Sequence, residues 1–409
     1  MAENARNSAN KGETGGKGKK KLRILLRTFG CQMNDRDSEI IYGLLLDRGW
    51  RKAGSLEEAD CILFNTCSVR YHAEQRAYSN MGRLAKLKRR RPDVILGFVG
   101  CTAQKDKGLI FRRLPHVDLV TGPGEIYNIP EYIEEIEKER QRIRGTDLLS
   151  RPDRRNPLYR EKKTGAYVSI SEGCDNFCSY CIVPYVRGEQ RSRRKEFILE
   201  EIRSAGKAGI KEVTLLGQNV NSYGKDLKDG PDFIGLLEEI NEIEDIKRIR
   251  FVTCHPMDTK EPLFKAMKDL PKVYHHLHLP LQSGSAKILK AMKRGYSPGH
   301  YLGLAEKLRY HIPDCNLTTD IIVGFPGEGD KDFKETYDMM MSVAFDSAFI
   351  FKYSPRPPAA SSKLADDVPE EVKKARHSRL LDLQREISGK KRRQGKKKYY
   401  RWPKSCGNW

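Results

Sequence analysis

The sequence lacks long hydrophobic runs. No stretch approaches the roughly 18 continuous apolar residues that a membrane-spanning helix needs. The N-terminus also lacks the apolar core of a signal peptide. We therefore expect a soluble, cytoplasmic protein that contacts no membrane. Residues 1–20 carry almost no large apolar side chains, so they cannot offset the entropy of ordering and are predicted to form a disordered basic tail.

The chain has 10 cysteines but only one Cys-x-x-Cys motif. Disulfides are rare in a reducing cytoplasm, so the cysteine spacing is best interpreted as metal binding or catalysis. Structural zinc sites usually take four ligands from paired short motifs, and this sequence has no such pair. The absence favours a metal centre other than zinc.

Charge of one sign dominates. The 76 Lys and Arg residues exceed the 55 Asp and Glu residues, which leaves a net charge of +21. A charge of this size favours a polyanionic partner such as nucleic acid. The alternative is an ordinary enzyme with basic tails, and composition alone leaves both open.

The first part of the chain alternates short apolar runs with longer charged segments of helical period. The runs are LRILLRT, CILFNTC and VILGFVGC, and the predicted helices cover residues 37–48 and 73–90. A further charged helix is predicted over IPEYIEEIEKERQRIR, residues 129–144. Strands that alternate with helices indicate parallel βαβ units, so an open parallel-sheet α/β domain is predicted over 21–150.

Each of those three runs leads to a cysteine, namely Cys31, Cys67 and Cys101. Ligands bind at the carboxyl edge of open α/β sheets, so the three thiols are predicted to converge on one site. The alternative is that each is a buried structural cysteine, since free cysteine is among the most buried residue types.

A second α/β unit is predicted over 160–388, after a polar boundary near 150–160. Its six strand candidates are AYVSIS, EVTLLGQ, RIRFVTC, HHLHLPL, LTTDIIVGF and DSAFIFKYS. Six βα repeats predict a partial, open (β/α)6 barrel with its active site at the carboxyl ends of the strands.

The most informative motif, Cys174-Asp-Asn-Phe-Cys178-Ser-Tyr-Cys181, follows the first of these strands directly. Three thiolates on one short loop can bind three irons of a cubane cluster and leave the fourth iron open to a small ligand. Zinc is the alternative, but a fourth ligand is not apparent in the sequence.

With these motifs the chain resembles the methylthiotransferase family of radical S-adenosylmethionine (SAM) enzymes from about residue 22 to about residue 385. The matching segments are TFGCQMN, NTCSVR, VGC, SEGCDNFCSYCIVPYVRG, LLGQNVNSYG, LPLQSGS and DIIVGFPGE. The resemblance implies two [4Fe-4S] clusters and S-adenosylmethionine as cofactors. Cys174, Cys178 and Cys181 would hold the cluster that cleaves SAM, and Cys31, Cys67 and Cys101 an auxiliary cluster that carries the sulfur. One SAM would be the methyl donor and another the radical source.

The resemblance also implies contacts to SAM, each with a plainer alternative. Tyr180 would lie near the adenine, or else pack within its loop. Arg193 is the first choice for a SAM contact among the four nearby arginines, whose alternative is a solvated basic turn; the others are Arg187, Arg191 and Arg194. Gln218 and Gln282, with their neighbours Asn219 and Ser283, would hydrogen-bond SAM or the substrate adenine, or else cap loops. No catalytic residue beyond the cluster ligands is expected.

Some residues with metal-binding side chains are predicted not to bind metal. His276 and His278 would share one face of a strand, but the nearby sequence offers too few further ligands to complete a metal site. The cysteines interpreted as non-ligands are Cys61, Cys254, Cys315 and Cys406.

Two segments point to a substrate. Gly30–Asn34 reads GCQMN and Gly217–Tyr223 reads GQNVNSY, as in the family branch that acts on isopentenyl-adenosine of tRNA. The predicted partners are the anticodon stem-loop of tRNA and an electron donor such as flavodoxin or ferredoxin, with the protein as a monomer. The alternatives are threonylcarbamoyl-adenosine tRNA, a ribosomal protein, or an inactive truncated iron–sulfur protein that binds RNA.

The sequence departs from the family at its end. Family members usually continue into a small β-barrel domain that binds RNA, whereas this chain ends in GKKRRQGKKKYYRWPKSCGNW. Residues 389–409 are therefore predicted to be a basic tail, a truncated or aberrant remnant of that domain, and the β-barrel is predicted to be missing.

Overall fold

The computed structural model describes residues 21–148, 156–157, 159–161 and 164–393. The predicted tail 1–20, residues 394–409 and most of the predicted boundary lie outside the described residues. Residues 21–148 form the N-terminal half, and residues 164–393 form the barrel half.

The N-terminal half is built on one six-stranded sheet in which every pairing is parallel. Its strands are β1 (Arg23–Phe29), β2 (Arg51–Lys52), β3 (Cys61–Thr66), β4 (Ile95–Gly100), β5 (Leu119–Thr121) and β6 (Ile143–Gly145). The order is β2-β1-β3-β4-β5-β6. Every residue of β3 and β4 is buried, as expected for central strands covered by helices on both faces. The predicted open parallel sheet is confirmed.

Six helices cover this sheet, and three differ from the sequence prediction. They are α1 (Gln32–Asp47), α2 (Tyr71–Arg83), α3 (Ala85–Arg90), α4 (Cys101–Asp106), α5 (Leu109–Arg113) and α6 (Ile129–Glu139). Helix α1 begins at Gln32 rather than at 37, because Cys31 occupies its N-cap and Asn34 bonds back to it. The helix predicted over 73–90 is broken at Leu84. The charged segment after Glu139 turns at Arg140 and pairs with β5 as an edge strand instead of continuing the helix.

The barrel half contains eight strands. They are β7 (Ala166–Ser169), β8 (Ser171–Glu172), β9 (Arg191–Ser192), β10 (Glu212–Leu216), β11 (Arg248–Phe251), β12 (His276–His278), β13 (Asn316–Val323) and β14 (Ser347–Lys352). Two parallel three-stranded sheets, β7-β10-β11 and β12-β13-β14, are linked by the parallel bridge between Ile249 and Val273. Strands β8 and β9 form a separate antiparallel pair. Six parallel strands in chain order confirm the predicted partial (β/α)6 barrel.

Helices alternate with these strands along the barrel half. They are α7 (Val183–Arg187), α8 (Lys195–Lys207), α9 (Phe233–Asn241), α10 (Glu261–Asp269), α11 (Ala286–Ala291), α12 (Pro298–His311), α13 (Asp330–Val343) and α14 (Glu370–Arg393). Leu380, Leu383 and Ile387 of α14 join the barrel core, and this packing extends the helix to Arg393, inside the segment predicted as a tail. No helix in the described ranges is long and apolar enough to cross a membrane.

The two halves meet through buried apolar contacts at the carboxyl ends of their strands. Met33 packs with Tyr167, Leu216 and Val252 of the barrel half, and Cys31 packs against this group. Cys101 packs with Ile182, the N-cap residue of α7, and with Val186 inside that helix. These contacts bring the cysteine loops of both halves to one interface.

Candidate active site

Three of the four cysteines in the N-terminal half lie just after the carboxyl ends of neighbouring strands. Cys31 follows the β1 turn, Cys67 follows β3 and Cys101 follows β4, and these strands are adjacent in the sheet. Cys67 and Cys101 are buried, whereas Cys31 is intermediate. A hydrogen bond with the Cys67 thiol lowers the pKa of Cys31 to about 5, and the charge of Arg187 acts in the same direction. Cys31 and Cys67 are thus in contact, and Cys101 is near enough for its charge to act on Cys67. The three cysteines together are called the N-terminal triad, and their role as cluster ligands stays a prediction.

Two glycines allow this close approach. A Cβ on Gly30 would lie 2.2 Å from Asn34 Oδ1 and 2.9 Å from the Cys67 side chain. A Cβ on Gly100, whose φ is +93°, would lie 2.6 Å from the Thr66 carbonyl oxygen. Glycine removes both clashes, so the backbones beside Cys31 and Cys101 approach the end of β3.

Buried amides fix the geometry of the same loops. Asn34 Oδ1 accepts from the Cys31 backbone N–H at 3.2 Å, and Asn34 Nδ2 donates to Asn65 Oδ1 at 3.1 Å. Asn65 Nδ2 in turn donates to the Asn34 carbonyl at 2.9 Å. Both side chains are fully buried, so this reciprocal pair ties the start of α1 to the end of β3.

The donor groups around the N-terminal triad suit a bound group rich in hydrogen-bond acceptors. Gln32 Nε2, Ser68 Oγ and Thr102 Oγ1 each belong to the residue after a triad cysteine, are buried, and find no partner among the described residues. A buried polar group left unpaired costs about 1–3 kcal/mol. The sulfides and thiolates of an iron–sulfur cluster would accept from such donors.

A cluster and a single metal ion require different arrangements of their ligands. Within the part of the chain that the structure describes, no three His, Cys, Asp or Glu side chains lie close enough to share one metal ion. A cubane gives each thiolate its own iron, so its ligands need not meet at one point. The residues present fit the cluster that the sequence implied.

The second set of cysteines, Cys174, Cys178 and Cys181, lies on the loop after β7 and β8 and is called the barrel triad. The Cys181 N–H donates to the Cys178 carbonyl at 2.9 Å, and the Cys174 N–H donates to Gly188 O at 3.1 Å. Burial raises the pKa of Cys174, and burial with the nearby Cys178 raises the pKa of Cys181 to about 12. The three thiols thus share one partly buried loop, in which Cys178 is buried and Cys174 and Cys181 are intermediate, and a bound cluster would offset their desolvation.

Gln218 supports this loop. Its Oε1 accepts from the Gly173 N–H at 2.6 Å, immediately before Cys174. The family resemblance implies a hydrogen bond from Gln218 to SAM or to the substrate adenine. The observed bond instead matches the loop-capping alternative. A SAM contact from the rest of this amide stays a prediction.

Arg294 contacts the barrel triad, and the sequence alone did not point to it. Its Nη1 donates to Cys178 Sγ at 3.3 Å, Nη2 donates to Pro280 O at 3.1 Å, and Nε donates to Tyr296 Oη at 3.1 Å. The residue is 5% exposed. Arg294 is far from the cysteine motif in sequence, so no spacing pattern could have found it.

Tyr180 packs into an apolar group next to the same loop. Its neighbours are Ile288, Met292, Phe325 and Tyr353, with Phe325 lying between Gly324 and Gly327. Burial raises the pKa of Tyr180, although the charge of Arg294 acts against this. The packing agrees with the plainer alternative, and the adenine contact stays a prediction.

Arg193 has its hydrogen bonds inside the protein. Nη1 donates to the Ser169 carbonyl at 2.6 Å, and Nη2 lies 3.0 Å from Glu201 Oε2. Arg191 and Arg194 are exposed. Both contacts tie the Arg193 guanidinium to other groups of the protein. Its contact with SAM also stays a prediction.

Gln282 follows β12, on the side of the barrel formed by β12, β13 and β14. Its φ is +68°, its N–H donates to Asp320 O at 2.8 Å, and its carbonyl accepts from the Ile322 N–H. Ser283 Oγ lies 3.2 Å from Thr336 Oγ1, as its loop-capping alternative requires. A SAM contact from the Gln282 side chain stays a prediction.

Four unpaired polar atoms mark the opening of the barrel on the side of β7, β10 and β11. They are Ser169 Oγ, Ser171 Oγ, Asn219 Oδ1 and His255 Nε2, all buried and without a partner in the described ranges. His255 Nδ1 accepts from the Met257 N–H at 3.2 Å, so the proton of the neutral ring lies on Nε2. Burial lowers the pKa of His255 to about 3. These atoms fit a polar ligand such as SAM, and sequence analysis missed His255.

The remaining histidines and cysteines have ordinary structural partners. His276 Nε2 and His278 Nδ1 lie 3.1 Å and 3.0 Å from Thr318 Oγ1. Burial raises the pKa of Cys61, Cys254 and Cys315, which are all buried. Cys406 lies outside the described residues.

A buried ion-pair network joins the two halves beside the triads. Glu201 of α8 contacts three arginines: Arg36 at 3.1 Å, Arg160 at 2.5 Å and Arg193 at 3.0 Å. Burial alone would raise the pKa of Glu201, but these charges lower it to about 2. Because Arg36 lies in α1, the network fixes α1 of the N-terminal half against the barrel half.

Comparison with known proteins agrees with this geometry. Residues 168–340 match the Radical SAM superfamily, and residues 23–122 match Uncharacterized protein family UPF0004. The fold is similar to that of the radical SAM methyltransferase TsrM from Kitasatospora setae. The TM-score is 0.64 at 15% sequence identity, over 83% of this chain and 77% of that chain.

Curated relatives are much closer in sequence. The chain is 46% identical to the tRNA-2-methylthio-N(6)-dimethylallyladenosine synthase of Acetivibrio thermocellus, over 91% of this chain and 78% of the relative. It is 48% identical to the enzyme of the same name from Caldicellulosiruptor saccharolyticus, over 90% of this chain and 79% of the relative. The chain therefore belongs to the tRNA-2-methylthio-N(6)-dimethylallyladenosine synthase family of the radical SAM superfamily.

Proposed function

We propose that this protein is a radical SAM methylthiotransferase that adds a methylthio group to carbon 2 of N6-isopentenyladenosine next to the anticodon of tRNA. The observation that carries the proposal is the meeting of the two cysteine triads at one interface, where Cys101 packs against Ile182 and Val186. The names of the curated relatives support the substrate.

The two triads have separate roles in this proposal. Cys174, Cys178 and Cys181 hold one [4Fe-4S] cluster, and Cys31, Cys67 and Cys101 hold the other. When bound, the clusters and SAM supply the radical and the sulfur that an unactivated aromatic C–H position requires. The protein positions its ligands: Gln218 and Arg294 hold the barrel triad, and the Asn34–Asn65 pair holds the N-terminal triad.

Exposed aromatic side chains near the triads supply a place for an unpaired base. Tyr71 is 51% exposed, and the Arg356 guanidinium lies 5.7 Å from its ring centre and bonds to the Val69 carbonyl. The charge of Arg356 also reaches Cys67, so this pair lies at the N-terminal triad. Aromatic rings and arginine planes stack on bases, and the net charge of +21 favours the phosphates.

We also propose that the protein works in the cytoplasm as a monomer, with flavodoxin or ferredoxin as the electron donor. One chain carries both triads and the interface that joins them, which supports a monomer.

The test is nucleoside mass spectrometry of tRNA bearing isopentenyl-adenosine after anaerobic incubation with cluster-reconstituted protein, SAM and a reductant. We expect the methylthio product, and none from tRNA without the isopentenyl group. Cys67→Ala should still release 5′-deoxyadenosine from SAM but form no product.

The control variant is Cys61→Ala, because Cys61 lies at the other end of β3 and should leave the product unchanged. If the unaltered protein releases 5′-deoxyadenosine and modifies only threonylcarbamoyl-adenosine tRNA or a ribosomal protein, the proposed substrate is wrong. If no 5′-deoxyadenosine is released, the proposed chemistry is wrong.

A further inference from the structure

Arg187 ends α7 in the barrel half, yet its side chain belongs to the interface with the N-terminal half. Its Nη2 lies 2.7 Å from Asp37 Oδ2 of α1. The two side chains are 4% and 2% exposed, so this charge pair is shielded from solvent. Asp37 therefore fixes the direction of the guanidinium, and the contact crosses from one half to the other.

The guanidinium is next to the N-terminal triad. Val186, its neighbour in the chain, packs against Cys101. The guanidinium lies close enough to Cys101 and Cys31 for its charge to act on both side chains. The family resemblance implies a SAM contact from this group of arginines, whereas Arg187 lies at the other set of cysteines.

One donor of Arg187 is directed at the triad. Its Nη1 is buried and makes no well-aligned hydrogen bond within the described ranges, while the guanidinium lies within reach of the Cys101 side chain. Hydrogen bonds from charged groups contribute more than neutral ones, so an unpaired buried guanidinium N–H is costly. A group bound by the triad would accept this bond, as it would accept those from Gln32, Ser68 and Thr102.

Other charges near the triad are oriented differently. Arg70 Nη1 donates to the Gly30 carbonyl at 3.3 Å, and Arg356 Nη2 donates to the Val69 carbonyl at 3.1 Å. Asp37 and Glu172 supply negative charge near Arg187. Arg187 is thus a buried cation that a carboxylate holds in place beside the Cys101 side chain.

We propose that Arg187 is a positioning residue of the N-terminal triad, supplied by the barrel half and held by Asp37, and that its Nη1 donates a hydrogen bond to a sulfur atom of the cluster there. This rests on the proposed function, because it requires a cluster at Cys31, Cys67 and Cys101. A fixed positive charge favours the more negative, reduced state of a cluster and so raises its reduction potential. The contact between the two halves therefore contributes to the reduction potential of the cluster at the N-terminal triad.

The test isolates the cluster of the N-terminal triad by replacing Cys174, Cys178 and Cys181 with alanine in the full chain. Iron content and the midpoint potential are then measured by electron paramagnetic resonance during a redox titration. The variants are Arg187→Met and the paired Asp37→Asn/Arg187→Met, in which no buried carboxylate loses its cation. The matched control is Arg194→Met, since that arginine lies nearby in sequence and its side chain is 61% exposed.

We expect the paired variant to retain iron and to lower the reduced-to-oxidised ratio about tenfold at a fixed potential, which is about 59 mV for one electron. Arg194→Met should match its parent. Arg187→Lys keeps the charge but cannot reach both partners, so it should restore only part of the potential.

Three results would overturn the inference. An unchanged potential in the paired variant shows that Nη1 does not act on the cluster. Loss of iron both there and in the converse background, with Cys31, Cys67 and Cys101 replaced, shows that Arg187 only joins the halves. A parent that holds no iron at Cys31, Cys67 and Cys101 overturns the proposed function as well, so the two failures are distinguishable.

Discussion

At the scale of single residues, two cysteines of β3 and its end differ by position rather than by burial. Cys61 and Cys67 lie at opposite ends of β3 and are both buried. Only Cys67 lies at the carboxyl end, where Cys31 and Cys101 meet it. Burial alone would have grouped the two, whereas the direction of the strand separates them.

We predict that Cys67→Ala removes about half of the iron per chain, whereas Cys61→Ala retains it. Loss of the Cys61 sulfur leaves a small cavity and should cost only ~1 kcal/mol of unfolding free energy. Iron analysis and thermal unfolding of the two variants measure both effects. Equal iron loss from both would show that the fold, rather than the ligand, had been disturbed.

At the scale of elements, the loop after β8 depends on a glycine. Gly173 has φ of +77°, and a Cβ there would lie 1.9 Å from the Glu189 carbonyl oxygen. The same residue donates its N–H to Gln218. The loop that carries the barrel triad is therefore held between β9 and the end of β10, and it has no room for a side chain.

We predict that Gly173→Ala lowers iron loading of the barrel triad and SAM cleavage at least about tenfold. The matched control is Gly209→Ala, because Gly209 has a similar φ of +90° but no atom within 4 Å of the added Cβ. It should cost about 1 kcal/mol of stability and leave the clusters intact. If both variants lose SAM cleavage equally, the cause is backbone strain rather than the closeness of Glu189.

At the scale of the whole molecule, buried charges hold the halves together. Glu201 meets arginines from α1, from the connecting segment and from the end of β9, and its side chain is 3% exposed. Removing one partner of a buried ion-pair network leaves uncompensated charge, which typically costs 3–5 kcal/mol. The interface near both triads is thus sensitive to a single carboxylate.

We predict that Glu201→Gln destabilises the protein at neutral pH and that this difference is pH-dependent. The folded-state pKa is lowered from 4.5 to about 2, so the carboxylate stabilises the fold above pH 4.5. This contribution, on the order of 3 kcal/mol, is lost as pH falls toward 2. Denaturant unfolding of cluster-free protein at several pH values measures it.

Glu196→Gln is the matched control on the same helix, since its side chain is 56% exposed. It should change stability little at any pH. If wild type and Glu201→Gln differ equally at pH 6 and pH 2.5, the carboxylate is not the source of the effect.

Much of this molecule was predictable because its signals are local. Apolar runs that alternate with helical segments determined the parallel sheets of both halves, and the short cysteine motif determined the barrel triad and the family. Helix ends were less predictable: α1 begins at Gln32 because the Cys31 cap depends on Asn34, and Ile143–Gly145 forms a strand because β5 offers an edge. Both outcomes involve partners distant in sequence, since Asn34 is itself held by Asn65 and the new strand pairs with β5.

The sequence by itself determined the fold class, the two sets of cysteines and the family, since strand periodicity and motif spacing are properties of neighbouring residues. Only the tertiary structure decided which distant groups surround the cysteines. Arg187 pairs with Asp37 rather than with its own cluster loop, Arg294 donates to Cys178 from a distant turn, and Arg193 pairs with Glu201. The physical reason is that a long cationic side chain buried at an interface lies where carboxylates and sulfur atoms satisfy it, and chain folding alone brings those partners together.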